Sequence, residues 1–160
     1  MKKILIAIDN SAGSLKALDY VGRQFSRMKD VQITLFHVLL SEPPEFWDEG
    51  HILTKEEKKA QKDVIKKWSA NKKKVLEPMF EKAIEVLTGQ GIPARQIQTK
   101  FSIESFHVVA QCILGEAKNG GYETIIIGRS GRSNLKHFLL GSIANKIINS
   151  ARGITVCVVD

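Results

Sequence analysis

The residues best suited to chemistry lie in one stretch, Gly128-Arg129-Ser130-Gly131-Arg132-Ser133-Asn134-Leu135-Lys136-His137-Phe138-Leu139-Leu140-Gly141-Ser142. Gly128 and Gly131 carry no side chain, so backbone N–H groups there can come close to a ligand. Gly141 and Ser142 open a segment of helical periodicity. A helix N-terminus presents unsatisfied N–H groups and draws anions. Arg129, Arg132 and Lys136 add positive charge nearby. Together these parts suit a polyphosphate, although a strand, a glycine and a helix also make an ordinary tight turn, and residue types leave both readings open. The stretch is not a Walker A loop, because no Gly-Lys-Ser/Thr occurs. Nor is it a dinucleotide fingerprint, because the glycines follow a late strand at a different spacing.

Asp9, at the end of the first apolar run, is the carboxylate placed to join this set. Mg²⁺ is typically held by one or two carboxylates together with phosphate oxygens. No Ser-His-Asp or Cys-His set accompanies it, and nothing orients an attacking water. The expectation is binding with little or no turnover, at most slow hydrolysis.

Five apolar runs must position these residues: 4–8, 31–40, 94–101, 124–127 and 154–159. Most are continuous and β-branched, as strands buried on both faces of a parallel sheet must be. The third differs, because Gln96, Gln98 and Lys100 alternate with Ile97, Thr99 and Phe101. That pattern predicts an edge strand with one wet face. Helical segments fall between the runs. Residues 12–28 place Leu15, Leu18, Val21 and Phe25 on one face, with Ser11 as N-cap. Residues 55–88 form a long helical stretch in which Pro78 predicts a kink or a boundary. Residues 103–118 follow with Ser102 as cap, and the last helix starts near Gly141 with Ser142 as its cap.

Alternation of this kind predicts an α/β fold, a single doubly wound, flavodoxin-like or Rossmann-like parallel sheet of five strands in the order 3-2-1-4-5. Ligands of such sheets bind at the carboxyl ends of the strands where the order reverses, here between strands 1 and 4. Strand 5 would be an open apolar edge, and such an edge pairs with another chain. We expect a homodimer through Ile154, Val156 and Val158.

The chain has 160 residues, 43% of them apolar, which supports one domain over 1–160 and is too little for two. No apolar run approaches a membrane span, and the short run after Lys2-Lys3 is stopped by Asp9, so a cytoplasmic protein is expected. Cys112 and Cys157 fit no metal spacing and are read as small core residues. The net charge of +7 is concentrated. Residues 55–74 hold nine lysines against Glu56, Glu57 and Asp63, and the rest carries fifteen bases and fourteen acids. A lysine run of this kind is a solvated face or a surface for nucleic acid, an acidic partner or a membrane. Trp68 is the one aromatic there, and it is read as an anchor to the body or to a partner. His37 is read as a packed core residue, His137 as a surface residue, and Phe46-Trp47 as a lid or as packed aromatics.

The spacing Gly128-x2-Gly131-x9-Gly141-Ser142 resembles the ATP-binding signature of the universal stress protein family. Ile8-Asp9-Asn10-Ser11, Leu35-Phe36-His37-Val38, Ile125-Ile126-Ile127-Gly128 and Leu139-Leu140-Gly141-Ser142-Ile143-Ala144 are similar to the same family. The resemblance covers nearly the whole chain outside 41–74, a loop and lysine-rich helix where the family varies. It implies an ATP-, ADP- or AMP-binding regulatory protein of the stress response. The backbone of Val38, with Ala7 and Ile8, would hold the adenine. Asp9 would meet the ribose or a metal-bound phosphate, with Mg²⁺ as the metal. Ile127, Gly128 and Gly131 would line the ribose and phosphate path, with Arg129 and Ser130 in the same loop. Gly141, Ser142 and Ile143 would bind the phosphates. The resemblance also implies a dimer through strand 5. Two positions depart from the pattern: Arg129 stands where a small Ser or Thr is usual, and Asn10 where Gly is common.

Overall fold

A computed structural model describes residues 2–40, 54–104, 108–129 and 140–160. Five parallel strands form one sheet: β1 (Lys2–Ala7), β2 (Val31–Leu40), β3 (Ile97–Glu104), β4 (Thr124–Gly128) and β5 (Thr155–Val159). Their order is β3-β2-β1-β4-β5, as the alternation of runs and helices predicts. Between them lie α1 (Ala12–Phe25), α2 (Lys55–Gly89), α3 (Val109–Asn119) and α4 (Ser142–Ser150). The register Ala7↔Ile127 brings the ends of β1 and β4 nearly level, while Ala7↔Phe36 leaves β2 to run on past them to Leu40.

Strand side chains alternate between faces, so each central strand feeds two cores. Ile4, Ile6 and Ile8 pack with Leu18 and Val21 of α1 and with Leu76, Phe80 and Leu87 of α2. Leu5, Ile125 and Ile127 pack on the other face with Ile113 of α3 and Ile147 of α4. Leu5, Ile6, Ile125 and Ile126 are fully buried, which is why their runs are continuous rather than alternating.

Several boundaries differ from the sequence expectation. β3 starts at Ile97 because Ala94–Gln96 form a 3₁₀ turn after Pro93. Gln96 is buried there, and its Nε2 donates to the carbonyls of Met28 and Lys29 at 3.2 and 2.6 Å. It ties down the turn before β2 instead of lying on a wet face. β3 then runs on to Glu104, so Ser102 is a strand residue whose Oγ donates to Glu104 at 3.1 Å, and α3 begins only at Val109. α1 has the expected cap, Ser11 Oγ accepting from the Ser14 N–H, but it ends at Phe25, and Leu15 is 43% exposed.

Pro78 does not divide α2, which is one helix of 35 residues. Pro78 is exposed, so the carbonyl deprived of its partner can turn to water, while Leu76 and Phe80 on either side are held in the core. Only the second half of α2 is buried, through Leu76, Phe80, Ala83 and Leu87. Cys112 and Cys157 are half-buried and free, less enclosed than core residues.

Candidate functional site

The candidate residues come from four elements that converge at the carboxyl edge of the sheet. β1 ends at Ala7, followed by Ile8 and Asp9. β4 ends at Gly128, and Arg129 follows. α4 is brought to the same place by the Gly141 N–H, which donates to the Arg129 carbonyl at 2.9 Å. Val38 lies in β2 one strand over, buried against the α3 side of the sheet. Ser130 and Gly131 lie outside the described residues, as do Arg132, Lys136, His137, Phe46 and Trp47.

Asp9 is half-buried and held firmly. Its Oδ1 accepts from the Ser11 N–H at 3.0 Å and from Ser14 Oγ at 2.7 Å. The Asp9 N–H in turn donates to Ser14 Oγ at 2.8 Å. One carboxylate oxygen is therefore committed to the start of α1. Oδ2 makes no hydrogen bond among the described residues and is the atom with which Asp9 can meet a ligand. Ser14, which is buried, was not singled out by the sequence. The signal for it was the three-residue step from the cap Ser11.

Ile8 is engaged from both backbone groups. Its N–H donates to the Phe36 carbonyl at 2.9 Å, and its carbonyl accepts from His37 Nδ1 at 2.7 Å. His37 is buried, in keeping with a packed core histidine. With both groups bonded, Ile8 frames the site, and the exposed polar chemistry passes to its neighbours. Its side chain faces the α1–α2 core and, with Asp9, Asn10 and Ser11, lines a small cavity of about 60 Å³.

Gly128 has a reason of its own to lack a side chain. A Cβ there would lie 2.5, 2.6 and 2.8 Å from the carbonyl carbon, oxygen and Cα of Gly13. The end of β4 thus packs backbone to backbone on the first turn of α1. This contact keeps the first turns of α1 and the end of β4 together.

Arg129 is turned toward the last strand. Its Nη1 donates to Asp160 Oδ2 at 2.7 Å, and its N–H donates to the Val159 carbonyl at 2.7 Å.

The α4 N-terminus has no side-chain cap among the described residues. Its N-cap is Gly141, and Ser142 is the first helical residue rather than the cap expected from the sequence. The first bond of the helix is Asn145 N–H to the Gly141 carbonyl at 2.9 Å, so the preceding N–H groups of Ser142, Ile143 and Ala144 have no helical partner. Ser142 is exposed, and Ile143 packs its side chain against the α3–α4 core. A row of N–H donors at a helix start can accept an anion, and the held carboxylate at the end of β1 can meet a polar group or a metal.

A larger cavity, about 740 Å³, lies elsewhere, along the β3 edge between α2 and α3. It holds none of the candidate site residues. Among the described residues no group of three or more His, Cys, Asp or Glu could hold a metal ion by itself, and no helix is long and apolar enough to cross a membrane.

Comparison with known proteins settles the family. A model of the universal stress protein family matches residues 1–159. The chain belongs to that family. It is 29% identical over 158 residues to the universal stress protein YxiE of Bacillus subtilis (strain 168), covering 91% of this chain and 90% of that one. Its fold is similar to that of the protein MJ0577, with a TM-score of 0.71, 23% identity and coverage of 99% and 94% of the two chains. A universal stress protein from Archaeoglobus fulgidus solved in complex with dAMP has a TM-score of 0.58 at 16% identity, covering 100% and 98%. A universal stress protein solved in complex with cAMP has a TM-score of 0.63 at 13% identity, covering 99% and 96%.

Proposed function

We propose that this universal stress protein binds an adenine nucleotide, ATP or its ADP or AMP products, at the carboxyl edge of the sheet between β1 and β4. The observation that carries the reading is the start of α4, without a side-chain cap among the described residues and tied by Gly141 to Arg129 at the same edge of the sheet where β1 ends in the held carboxylate of Asp9. In this reading the N–H groups of Ser142 and Ile143, with the Gly131 loop, take the phosphates. Val38 and Ala7 border the base, and Ile127 and Gly128 border the ribose. The family relatives that carry dAMP and cAMP support the ligand class.

Asp9 Oδ2 is the protein atom that would touch the ribose or a phosphate-bound Mg²⁺. A single carboxylate beside phosphates is a sufficient protein share for Mg²⁺, which keeps most of its other ligands as water and phosphate. Among the described residues no second carboxylate or histidine bonds to Asp9, and in this reading the nucleotide acts as a signal rather than a substrate. Occupancy would bias a conformation that partners read.

The test is to denature purified protein, identify released nucleotide by chromatography, and titrate the stripped protein with ATP by calorimetry. Adenine nucleotide in the supernatant, and titration lost in Gly131→Val, are the expected results. No release and no heat at millimolar ATP would defeat the reading.

A second feature favours self-association. β5 is a sheet edge with half-exposed Val156, Val158 and Ile154. We propose that two copies pair through this edge. Sedimentation should give a dimer that Val156→Glu converts to monomer; a monomeric parent protein would defeat this part.

A further inference from the structure

The lysine-rich half of α2 has no role in the nucleotide reading, and its geometry has a specific content. α2 touches α1 through one stripe. Met79, Lys82 and Ala83 share a small cavity with Leu15 and Leu18, and Gln90 Nε2 donates to Asp19 at 2.9 Å. Leu15 lies in the first turns of α1, so α1 ends near Met79 while α2 continues. Steps of three and four residues carry the same stripe through Val75, Lys72, Trp68, Ile65 and Gln61, with Val64 beside it. From Lys55 to Val75 this arm is about 30 Å long at 1.5 Å per residue.

The arm is open on that stripe. Val64, Ile65 and Val75 are 42, 45 and 69% exposed, and Trp68 is half-buried with the Lys72 ammonium 5.7 Å from its ring centre. Lys58 and Lys62 lie to one side of the stripe and Lys67 to the other, with Lys74 round toward the opposite face. Glu57, the acid closest to it, is spent on the capping box with Thr54.

Each possible occupant meets this surface differently. Another copy of the arm would set lysine against lysine along both flanks. Nucleic acid would pair with the lysines but has no use for Val64, Ile65 and Val75. A flat bilayer laid on the stripe would run into α1, which occupies the same side one turn below. A helix laid end-on to α1 meets no other helix or strand among the described residues. Its apolar side would continue the α1–α2 packing, and carboxylates at its flanks would meet the lysines.

We propose that the arm is a docking site for an acidic amphipathic helix of a partner protein, seated on Ile65, Trp68 and Val75 with Lys58, Lys62 and Lys67 to its sides. This is helix-in-groove recognition in which α1 supplies the end stop. It does not depend on the nucleotide reading.

The experiment uses the full chain carrying Trp47→Phe, so that Trp68 is the sole tryptophan. The probe is a labelled synthetic peptide with leucine at the core positions of a heptad repeat and glutamate at the flanks. The control has the same composition with the register scrambled. Binding is read by anisotropy and by the Trp68 emission maximum. The ordered peptide should bind at least roughly tenfold tighter than the scramble and shift Trp68 emission to the blue, with that preference lost in Ile65→Ser/Val75→Ser. Circular dichroism confirms that the variant keeps its helix. As a second variant, Lys58→Glu/Lys62→Glu/Lys67→Glu should reject the acidic peptide and accept its lysine counterpart. Equal binding of ordered and scrambled peptides would overturn the proposal. So would no binding at all, or tighter binding to duplex DNA or phosphatidylserine vesicles at the same ionic strength.

Discussion

Replacing Gly128 by alanine tests whether the end of β4 is truly locked to α1. The added methyl would meet Gly13 backbone atoms at 2.5 to 2.8 Å, well inside contact distance. Backbone cannot rotate away as a side chain can, so β4 or the first turn of α1 must shift. Overpacking of this kind costs about 1–3 kcal/mol. For a domain of this size each kcal/mol moves the melting temperature by roughly 2–4 °C, so a fall of about 2–12 °C is expected. The same change at Gly115 is the internal control. Gly115 lies inside α3, and a Cβ there meets nothing within 4 Å. Gly115→Ala should therefore stabilise by up to about 1 kcal/mol, because alanine is the better helix former. Both variants are made in the same background and unfolded by heat and by urea. Opposite signs support the packing argument. A Gly128→Ala protein as stable as the parent would refute it, since β4 would then have room to spare. The nucleotide titration of Gly128→Ala should weaken as well, because Arg129 and the α4 start hang from the same strand end.

Three more outcomes follow from contacts around the site. Ser14→Ala removes a buried hydroxyl that bonds both Asp9 Oδ1 and the Asp9 N–H, and should cost about 1–3 kcal/mol in urea unfolding; an unchanged midpoint would mean that water replaces it at no loss. The ion pair that Arg129→Ala removes with exposed Asp160 should contribute no more than about 1 kcal/mol, read from a double-mutant cycle with Asp160→Ala. Arg129→Ala should also leave ATP affinity within roughly threefold; a larger loss by calorimetry would show that the guanidinium leaves Asp160 for phosphate. Burial pushes the Cys112 thiol above its usual value, with the Ser102 hydrogen bond only partly offsetting it. A raised pKa means less thiolate at any given pH, so Cys112 should alkylate more slowly in the native protein than in urea at pH 8, the gap narrowing as pH rises. Equal native and denatured rates, read by mass spectrometry of the Cys112 peptide, would contradict this.

The sheet order was readable because the runs at β1, β2 and β4 are continuous and β-branched, a direct imprint of burial on two faces. The Ser11 cap of α1 was readable because capping chemistry is local. What escaped was set by partners distant in the chain. Gln96 looked like one of a row of wet residues, yet its amide caps the turn at Met28 and Lys29. The pairing of Arg129 with Asp160, at the far end of the chain, could not be read from the loop around it. Nor could the close approach of Gly13, which gives Gly128 a packing reason to lack a side chain. Ser102 and Ser142 have the right residue type for caps, but β3 runs past the one and α4 already includes the other. The continuity of α2 through Pro78 depends on the core grip of Leu76 and Phe80, which a proline rule does not weigh.

The uneven anchoring of α2 divides one helix into two regimes of amide hydrogen exchange. Opening residues 76–89 uncovers Leu76, Phe80 and Leu87, so those amides exchange only when the core opens. Opening residues 55–75 uncovers almost nothing, so only local helix stability and the Thr54–Glu57 cap slow their exchange. Within that half, lysines four apart, such as 55 and 59, 58 and 62, and 62 and 66, repel one another by a few tenths of a kcal/mol each. Added salt screens that repulsion. Rising ionic strength should therefore lengthen the lifetime of the first twenty-odd amides of α2 and leave those beyond Leu76 unmoved.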